Sequence, residues 1–241
     1  MKSNIYLFIF FFCLISVSCE SNNEEILQLD DDIPEETNSI PKNIKILSLG
    51  DSYTIGESVC DKCKFPEQLK ARLIEVSEKD ITINLQVLAK TGWTTTNLID
   101  AIGNENIPSD FNLVTLLIGV NNQYQRKDFS LYQTEFPVLV SSAIKAASNK
   151  NNLIIISIPD YAYTPVGKGD ENVSEEIDMY NNFAKDYCIK NEITFVNITD
   201  ITRQGLINTA LVASDNLHPS ELAYSKFVDR LLPFAISKLR N

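Results

Sequence analysis

The sequence predicts a three-layer α/β/α domain in which helices cover both faces of a five-stranded, mainly parallel sheet. Short runs that are apolar on both faces recur along the chain, above all Leu113–Ile118 (LVTLLI) and Leu153–Ile158 (LIIISI). Strands of that kind belong to parallel sheets buried on both sides. Between them lie segments whose apolar residues repeat at helical spacing, so strand and helix alternate and the crossovers are right-handed. Composition agrees: 44% hydrophobic and 22% charged residues in a chain of 241 allow a sizeable core without metal or disulfide support.

The elements follow in order. Ile44–Leu49 is the first strand, and it runs into an abrupt turn at Gly50-Asp51-Ser52. Phe65, Leu69, Leu73 and Val76 mark a helix with Pro66 placed in its first turn, where a missing N–H costs nothing. Ile83–Leu88 is the second strand and Leu113–Ile118 the third. Phe129, Tyr132, Phe136, Leu139, Ala143 and Ala147 mark a long helix, expected to bend at Pro137. Leu153–Ile158 is the fourth strand, and Ile177, Tyr180, Phe183 and Tyr187 the next helix. Ile193–Val196 is a weaker fifth strand. Tyr224, Phe227, Val228 and Leu231 form the last helix, with a kink expected at Pro233. The result is a flavodoxin-like sheet, in which sites lie beyond the carboxyl ends of the strands.

Ahead of the first strand the chain reads differently. Lys2 precedes an apolar run, Ile5–Val17, too short to span a bilayer and suited to the core of a signal peptide. Val17-Ser18-Cys19 resembles a bacterial lipobox, in which Cys19 becomes the lipidated first residue; an ordinary signal peptide with a chance cysteine is the alternative. Residues 20–41 are acidic, polar and punctuated by Pro34 and Pro41, a composition that buries too little apolar surface to order itself. We therefore expect a lipoprotein signal peptide at 1–19, a flexible acidic tether (or short surface helix) at 20–41 and a folded domain at 42–241. The chain would be an exported bacterial lipoprotein, anchored to a membrane and facing the periplasm or cell surface.

The formal net charge of −11 excludes the basic footprint of a nucleic-acid binder. Of five cysteines, Cys13 lies in the segment expected to be removed. Cys60 and Cys63 form C-D-K-C, read as a local disulfide outside the cytoplasm. A thioredoxin-like redox pair would instead follow the first strand directly. No second close pair of soft ligands accompanies them, so no metal site is expected. Cys188 reads as a buried apolar residue.

The chemistry-bearing residues are few. His218 is the only histidine, and a neutral imidazole can take a proton from a serine hydroxyl near neutral pH. Asp215, three residues earlier, is placed to fix its tautomer. Pro219 is expected in the first turn of the last helix. Ser52, at the end of the first strand, is the candidate nucleophile; it does not stand in the G-x-S-x-G elbow, because position 54 is Thr. Acyl transfer also needs donors for a developing oxyanion: the backbone N–H of Ser52, the N–H of Gly92 after the second strand, and the side-chain amide of Asn121 after the third. Each residue also has a plain reading, as a loop histidine, a turn glycine or a capping asparagine.

Taken in order, Gly50-Asp51-Ser52, Gly92, Gly119-Val120-Asn121-Asn122 and Asp215-Asn216-Leu217-His218 resemble the four blocks of the SGNH hydrolases, also called the GDSL esterase/lipase family. The resemblance spans roughly Ile44 to Leu239 and is closest to bacterial lysophospholipase-like esterases. Tyr53 replaces the leucine of the family name, and Asn122 stands where the pattern often has a loop-supporting Asp. The resemblance implies a serine esterase with a Ser52–His218–Asp215 triad and no cofactor. Its substrate would be a small ester, lipid or acylated glycan, and the lipid anchor would hold it to the membrane. Two other readings stay open: a non-catalytic binding lipoprotein on the same fold, and a flavodoxin-like cofactor binder. Ile158–Pro165, after the fourth strand, is expected to wall the pocket, with Trp93, Tyr124, Tyr161 and Tyr163 as candidate lining.

Overall fold

The strands β1 (Asn43–Gly50), β2 (Thr82–Ala89), β3 (Leu113–Leu117), β4 (Leu153–Ile156) and β5 (Thr194–Val196) pair in the order β2-β1-β3-β4-β5, all parallel. This computed structural model describes residues 40–77 and 80–240; the expected signal peptide, its Cys19, and nearly all of the expected tether lie outside them. Leu47, Leu113 and Leu153 are fully buried, each stabilising the sheet by about 1.5–3 kcal/mol. The strand order reverses between β1 and β3, which is where such sheets place their sites.

Eight α-helices accompany the strands among the described residues: α1 (Ser52–Ile55), α2 (Phe65–Glu75), α3 (Thr95–Asn104), α4 (Val120–Tyr124), α5 (Phe129–Ala147), α6 (Glu171–Asn191), α7 (Thr199–Thr202) and α8 (Glu221–Leu239). Helix α2 packs on α8, while α3 packs on α5 and α5 on α6. Tyr132 of α5 and Tyr180 of α6 bring their ring centroids within 4.6 Å, with Phe129 and Phe183 against them. Pro66 lies in the first turn of α2, as its sequence position requires. Helices α5 and α8 both continue through their internal prolines, Pro137 and Pro233. Among the described residues no helix is long and apolar enough to cross a membrane.

The structure corrects one local expectation. Pro219 is not in the first turn of the last helix: α8 begins at Glu221, and Ser220 is its N-cap, accepting from the Ala223 N–H. Pro219 instead forms an antiparallel bridge with Val212. The cap serine determines where the helix starts, because its hydroxyl replaces a carbonyl that the first-turn N–H groups lack.

Register fixes where the loops leave the sheet. Gly50 pairs with Ala89 of β2 and with Leu117 of β3. The three strands therefore end level with one another, at the ~4.8 Å spacing of paired strands. The segments that follow, Asp51-Ser52, Lys90–Trp93 and Ile118–Asn121, all open from one edge of the sheet.

Candidate active site

Gly50 sits where no other residue fits. A Cβ there would lie 2.1 Å from Thr54 Oγ1 and 2.4 Å from the Leu117 carbonyl oxygen. This close approach lets the chain turn directly from β1 into the one-turn helix α1. Asp51 caps that helix, its Oδ1 accepting from the Tyr53 N–H at 3.0 Å. Asp51 is wholly buried, with the Asn121 amide beside its carboxyl but no hydrogen bond made to Oδ2. Burial pushes the carboxyl up to about 7, more than the Tyr53 N–H and the Asn121 amide draw it down. Ser52 is the first residue of α1 and is 3% exposed. Its N–H is one of the donors that a helix start leaves without an intrahelical acceptor.

The His218 loop is closed by the Val212–Pro219 bridge and by two backbone bonds. The Ala213 N–H donates to the His218 carbonyl at 2.7 Å, and the Ser220 N–H to the Leu211 carbonyl at 2.9 Å. Inside the loop, Asp215 Oδ1 accepts from the backbone N–H groups of Leu217 and His218, both at 2.9 Å. Its Oδ2 meets His218 Nδ1 at 2.6 Å and accepts from Ser58 Oγ at 2.7 Å. Burial opposes the charge on Asp215, but the Ser58 hydroxyl, the His218 ring and the two backbone donors outweigh it and hold the carboxyl far below the usual carboxylate range. An ionised carboxylate only accepts, so Nδ1 of the neutral ring carries the proton and Nε2 is left as the acceptor. The Tyr53 ring lies against the imidazole, centroids 5.1 Å apart.

Behind β2, Gly92 adopts φ +83°, a conformation side chains resist, and a Cβ there would meet only open space. Its carbonyl accepts from Gln125 Nε2 at 2.8 Å. The next carbonyl, of Trp93, accepts from Asn121 Nδ2 at 3.0 Å. Asn122, fully buried, accepts from the Thr95 N–H at 3.0 Å and donates to Thr95 Oγ1 at 2.6 Å; the Thr95 hydroxyl donates in turn to Glu135. The amide at position 122 thus ties the β3 loop to the start of α3. It satisfies a donor and an acceptor at once, which a carboxylate at that position cannot do.

The structure therefore brings the sequence-predicted residues together in pairs: Asp215 with His218, Tyr53 beside Ser52 with His218, and Asn121 with the Gly92–Trp93 turn. No hydrogen bond joins Ser52 Oγ to the imidazole among the described contacts. The turn after α1 fastens both neighbours, Ser58 to Asp215 and Glu57 to Thr91. Cys60 and Cys63 are joined by a disulfide just beyond it. Cys188 is buried and free, its thiol pushed up to about 12 by burial. Among the described residues no group of His, Cys, Asp and Glu suits a metal ion.

Two recesses adjoin this edge. A cleft of about 10 Å³ is lined by Tyr53, His218, Leu217, Pro159, Asp160 and Tyr161. Tyr161 also lines a cavity of about 920 Å³, with Gln123, Tyr124, Glu176 and Tyr180 among its walls. There the Tyr161 hydroxyl donates to Gln123 Oε1 at 2.8 Å and Gln123 Nε2 donates to Glu176 Oε2 at 2.7 Å. The exposed Tyr124 ring stands edge-on to Tyr161 at 5.5 Å. Residues after β4 wall both recesses, whereas Trp93 and Tyr163 line neither. Ser58, Gln123 and Gln125 carry no signal in the sequence; each is an ordinary polar residue until the fold supplies its partner.

The model of the GDSL-like lipase/acylhydrolase family matches residues 48–226. No curated protein matches the chain. Among solved structures, a member of the lipolytic G-D-S-L family from Veillonella parvula superposes with a TM-score of 0.61 at 18% identity, over 79% of this chain and 97% of that one. An acetylxylan esterase from Geobacillus stearothermophilus gives 0.62 at 18% identity, over 83% and 96%. An α/β hydrolase from the metagenome of Lake Arreo gives 0.61 at 17% identity, over 85% and 99%. At these identities the likeness to solved structures speaks for the fold.

Proposed function

The chain belongs to the GDSL-like lipase/acylhydrolase family, a family of carboxylic ester hydrolases, and from that premise we propose that Ser52, His218 and Asp215 form its catalytic triad. The carrying observation is the 2.6 Å contact between His218 Nδ1 and an Asp215 carboxylate held ionised, on a ring packed against the residue that follows Ser52. In this reading His218 Nε2 takes the Ser52 proton as Oγ attacks the ester carbonyl. Asp215 holds the tautomer and stabilises the imidazolium. The Ser52 N–H, the Gly92 N–H and the Asn121 amide receive the oxyanion. The imidazolium returns its proton to the leaving alcohol, and water then releases the acid by the same relay. Substrate binding draws Ser52 Oγ and Nε2 together, since catalytic hydrogen bonds are commonly long in the unliganded state.

The larger recess favours a short acyl group on a hydroxyl-rich alcohol over a lipid ester. Ser52, Gly92 and Asn121 line neither recess, so the polar lining of the larger cavity, not the size of an acyl slot, carries this preference. The 920 Å³ cavity presents tyrosine rings beside an amide and a carboxylate, and burying an acyl chain there would strip water from polar groups without replacing it. The acetylxylan esterase among the similar structures acts on a substrate of that kind. We also read residues 1–19 as a lipoprotein signal peptide, with Cys19 as the lipidated residue that tethers the domain to a membrane through 20–41.

The test is hydrolysis of p-nitrophenyl esters of increasing chain length. We expect acetate to be the best substrate. Ser52→Ala and His218→Ala should each lower kcat by about 10³-fold or more. Absence of hydrolysis by the wild type would favour the non-catalytic binder instead, equal rates for wild type and Ser52→Ala would remove Ser52 from the mechanism, and a preference for long acyl chains would return the substrate to lipids.

A further inference from the structure

We propose that Ser58 is a positioning residue of the triad: its hydroxyl fixes the Asp215 carboxylate in the plane from which that carboxylate orients His218. The inference rests on the triad reading above. Ser58 Oγ donates at 2.7 Å to Oδ2, the same oxygen that meets His218 Nδ1 at 2.6 Å. With the two backbone donors on Oδ1, all four lone-pair directions of the carboxylate are occupied. The loop's own backbone fastens only one oxygen. Without Ser58, which is exposed to solvent, the only protein group on Oδ2 would be the imidazole, the group that oxygen is meant to steer.

The backbone around Ser58 is consistent with a built contact. Ser58 sits at φ +64°, a left-handed conformation that a non-glycine residue adopts at a cost and keeps only where its surroundings require it. Glycine would suit that conformation better but would carry no hydroxyl. The contact spans 157 positions in sequence. Ser58 stands in the turn that follows Ser52, so a single short segment carries the nucleophile and the support of the acid at the far end of the chain. The Glu57–Thr91 bond on one side and the Cys60–Cys63 disulfide on the other restrain that segment.

Removing the hydroxyl has two separable consequences. The carboxylate gains freedom to rotate, so fewer encounters find Nε2 aimed at Ser52 Oγ, and kcat falls while KM holds. The charge that Ser58 shared on Oδ2 falls wholly on the imidazole, which favours the imidazolium and moves the acid limb of the pH–rate profile upward.

Ser58→Gly and Ser58→Ala test this, with p-nitrophenyl acetate as the probe and pH profiles and thermal unfolding measured on each. Glycine relieves the left-handed strain but forfeits the hydrogen bond to Asp215, so Ser58→Gly should melt near the wild-type temperature. Both variants should nevertheless lose kcat roughly 10-fold, as loss of a hydrogen bond to a charged group implies, with KM within about twofold by the same reasoning and the acid limb shifted up. A Ser58→Gly protein with wild-type kcat and an unmoved acid limb would overturn the proposal, as would losses that simply track melting temperature. Ser52→Ala, measured alongside, keeps the two readings apart: if it retains activity the triad itself is wrong, whatever Ser58 does.

Discussion

Asp51 stands next to the nucleophile with one carboxyl oxygen capping α1 and the other unpartnered, and burial raises it from 3.8 to about 7. The folded state therefore holds a proton between about pH 4 and pH 7 that the unfolded chain releases. The resulting stability is fully present below about pH 4 and is lost as pH rises through 7. The full shift corresponds to an order of ~4 kcal/mol. Asp51→Asn keeps the capping oxygen and removes the titration. We expect its melting temperature to exceed the wild type's by up to ~10 °C at pH 8 and the gap to close toward pH 4; a gap independent of pH would contradict the assignment. Asn122 is the complementary case, a buried amide whose two bonds to Thr95 are both made. Asn122→Ala leaves that buried N–H unpaired and should cost about 1–3 kcal/mol in denaturant unfolding. At this scale the sequence revealed the residues whose type alone is informative: the one histidine, and a serine placed straight after a strand. It could not reveal Tyr53 against His218 or Ser58 against Asp215, because those contacts exist only once the two ends of the domain meet.

The turn between α1 and α2 acts as a fastening for the whole site. Its Glu57 reaches the Gly92 loop, its Ser58 reaches the His218 loop, and its disulfide closes a loop of sequence separation 3. So short a loop constrains the unfolded chain little, about 2 kcal/mol by chain entropy. Replacing Cys60 and Cys63 together by Ser should therefore lower the melting temperature only modestly, while turnover of p-nitrophenyl acetate falls further than stability predicts, through loosening of Ser58. A large loss of stability with unaltered turnover of the folded fraction would assign the bridge a purely structural role. Elements were legible in proportion to their apolar content. Strands β1, β3 and β4 announced themselves, because parallel strands buried on both faces leave little polar alternation, whereas the edge strands are part-buried: β2 alternates Ile83, Leu85 and Val87 with Asn84 and Gln86, and β5 is short. Helix α3 did not: it opens on Thr94-Thr95-Thr96, β-branched residues that disfavour helix, and its apolar stretch, Leu98, Ile99 and Ile102, is short. What secures its start is a capping box between Thr94 and Asn97. Pro219 was misplaced for a similar reason, since a serine one position later was the better cap.

Across the whole molecule, the strand register does the assembling. Gly50, Ala89 and Leu117 lie side by side, so three loops far apart in sequence open at one edge, and α8 packing on α2 lies behind the return of the C-terminal His218 loop to the first of them. The N-terminal proposal concerns the same scale. Cys19→Ser should move the protein from the membrane to the soluble fraction in fractionated cells and abolish incorporation of a labelled fatty acid; an unchanged distribution would remove the anchor from the account. The central claim, that this edge presents a serine activated by His218, is tested most directly by covalent capture. Diethyl p-nitrophenyl phosphate, incubated with the protein and followed by peptide mass spectrometry, should add a single diethyl phosphate at Ser52, and the His218→Ala variant should remain unlabelled. Labelling at another residue, or equal labelling of Ser52 in the two proteins, would contradict it.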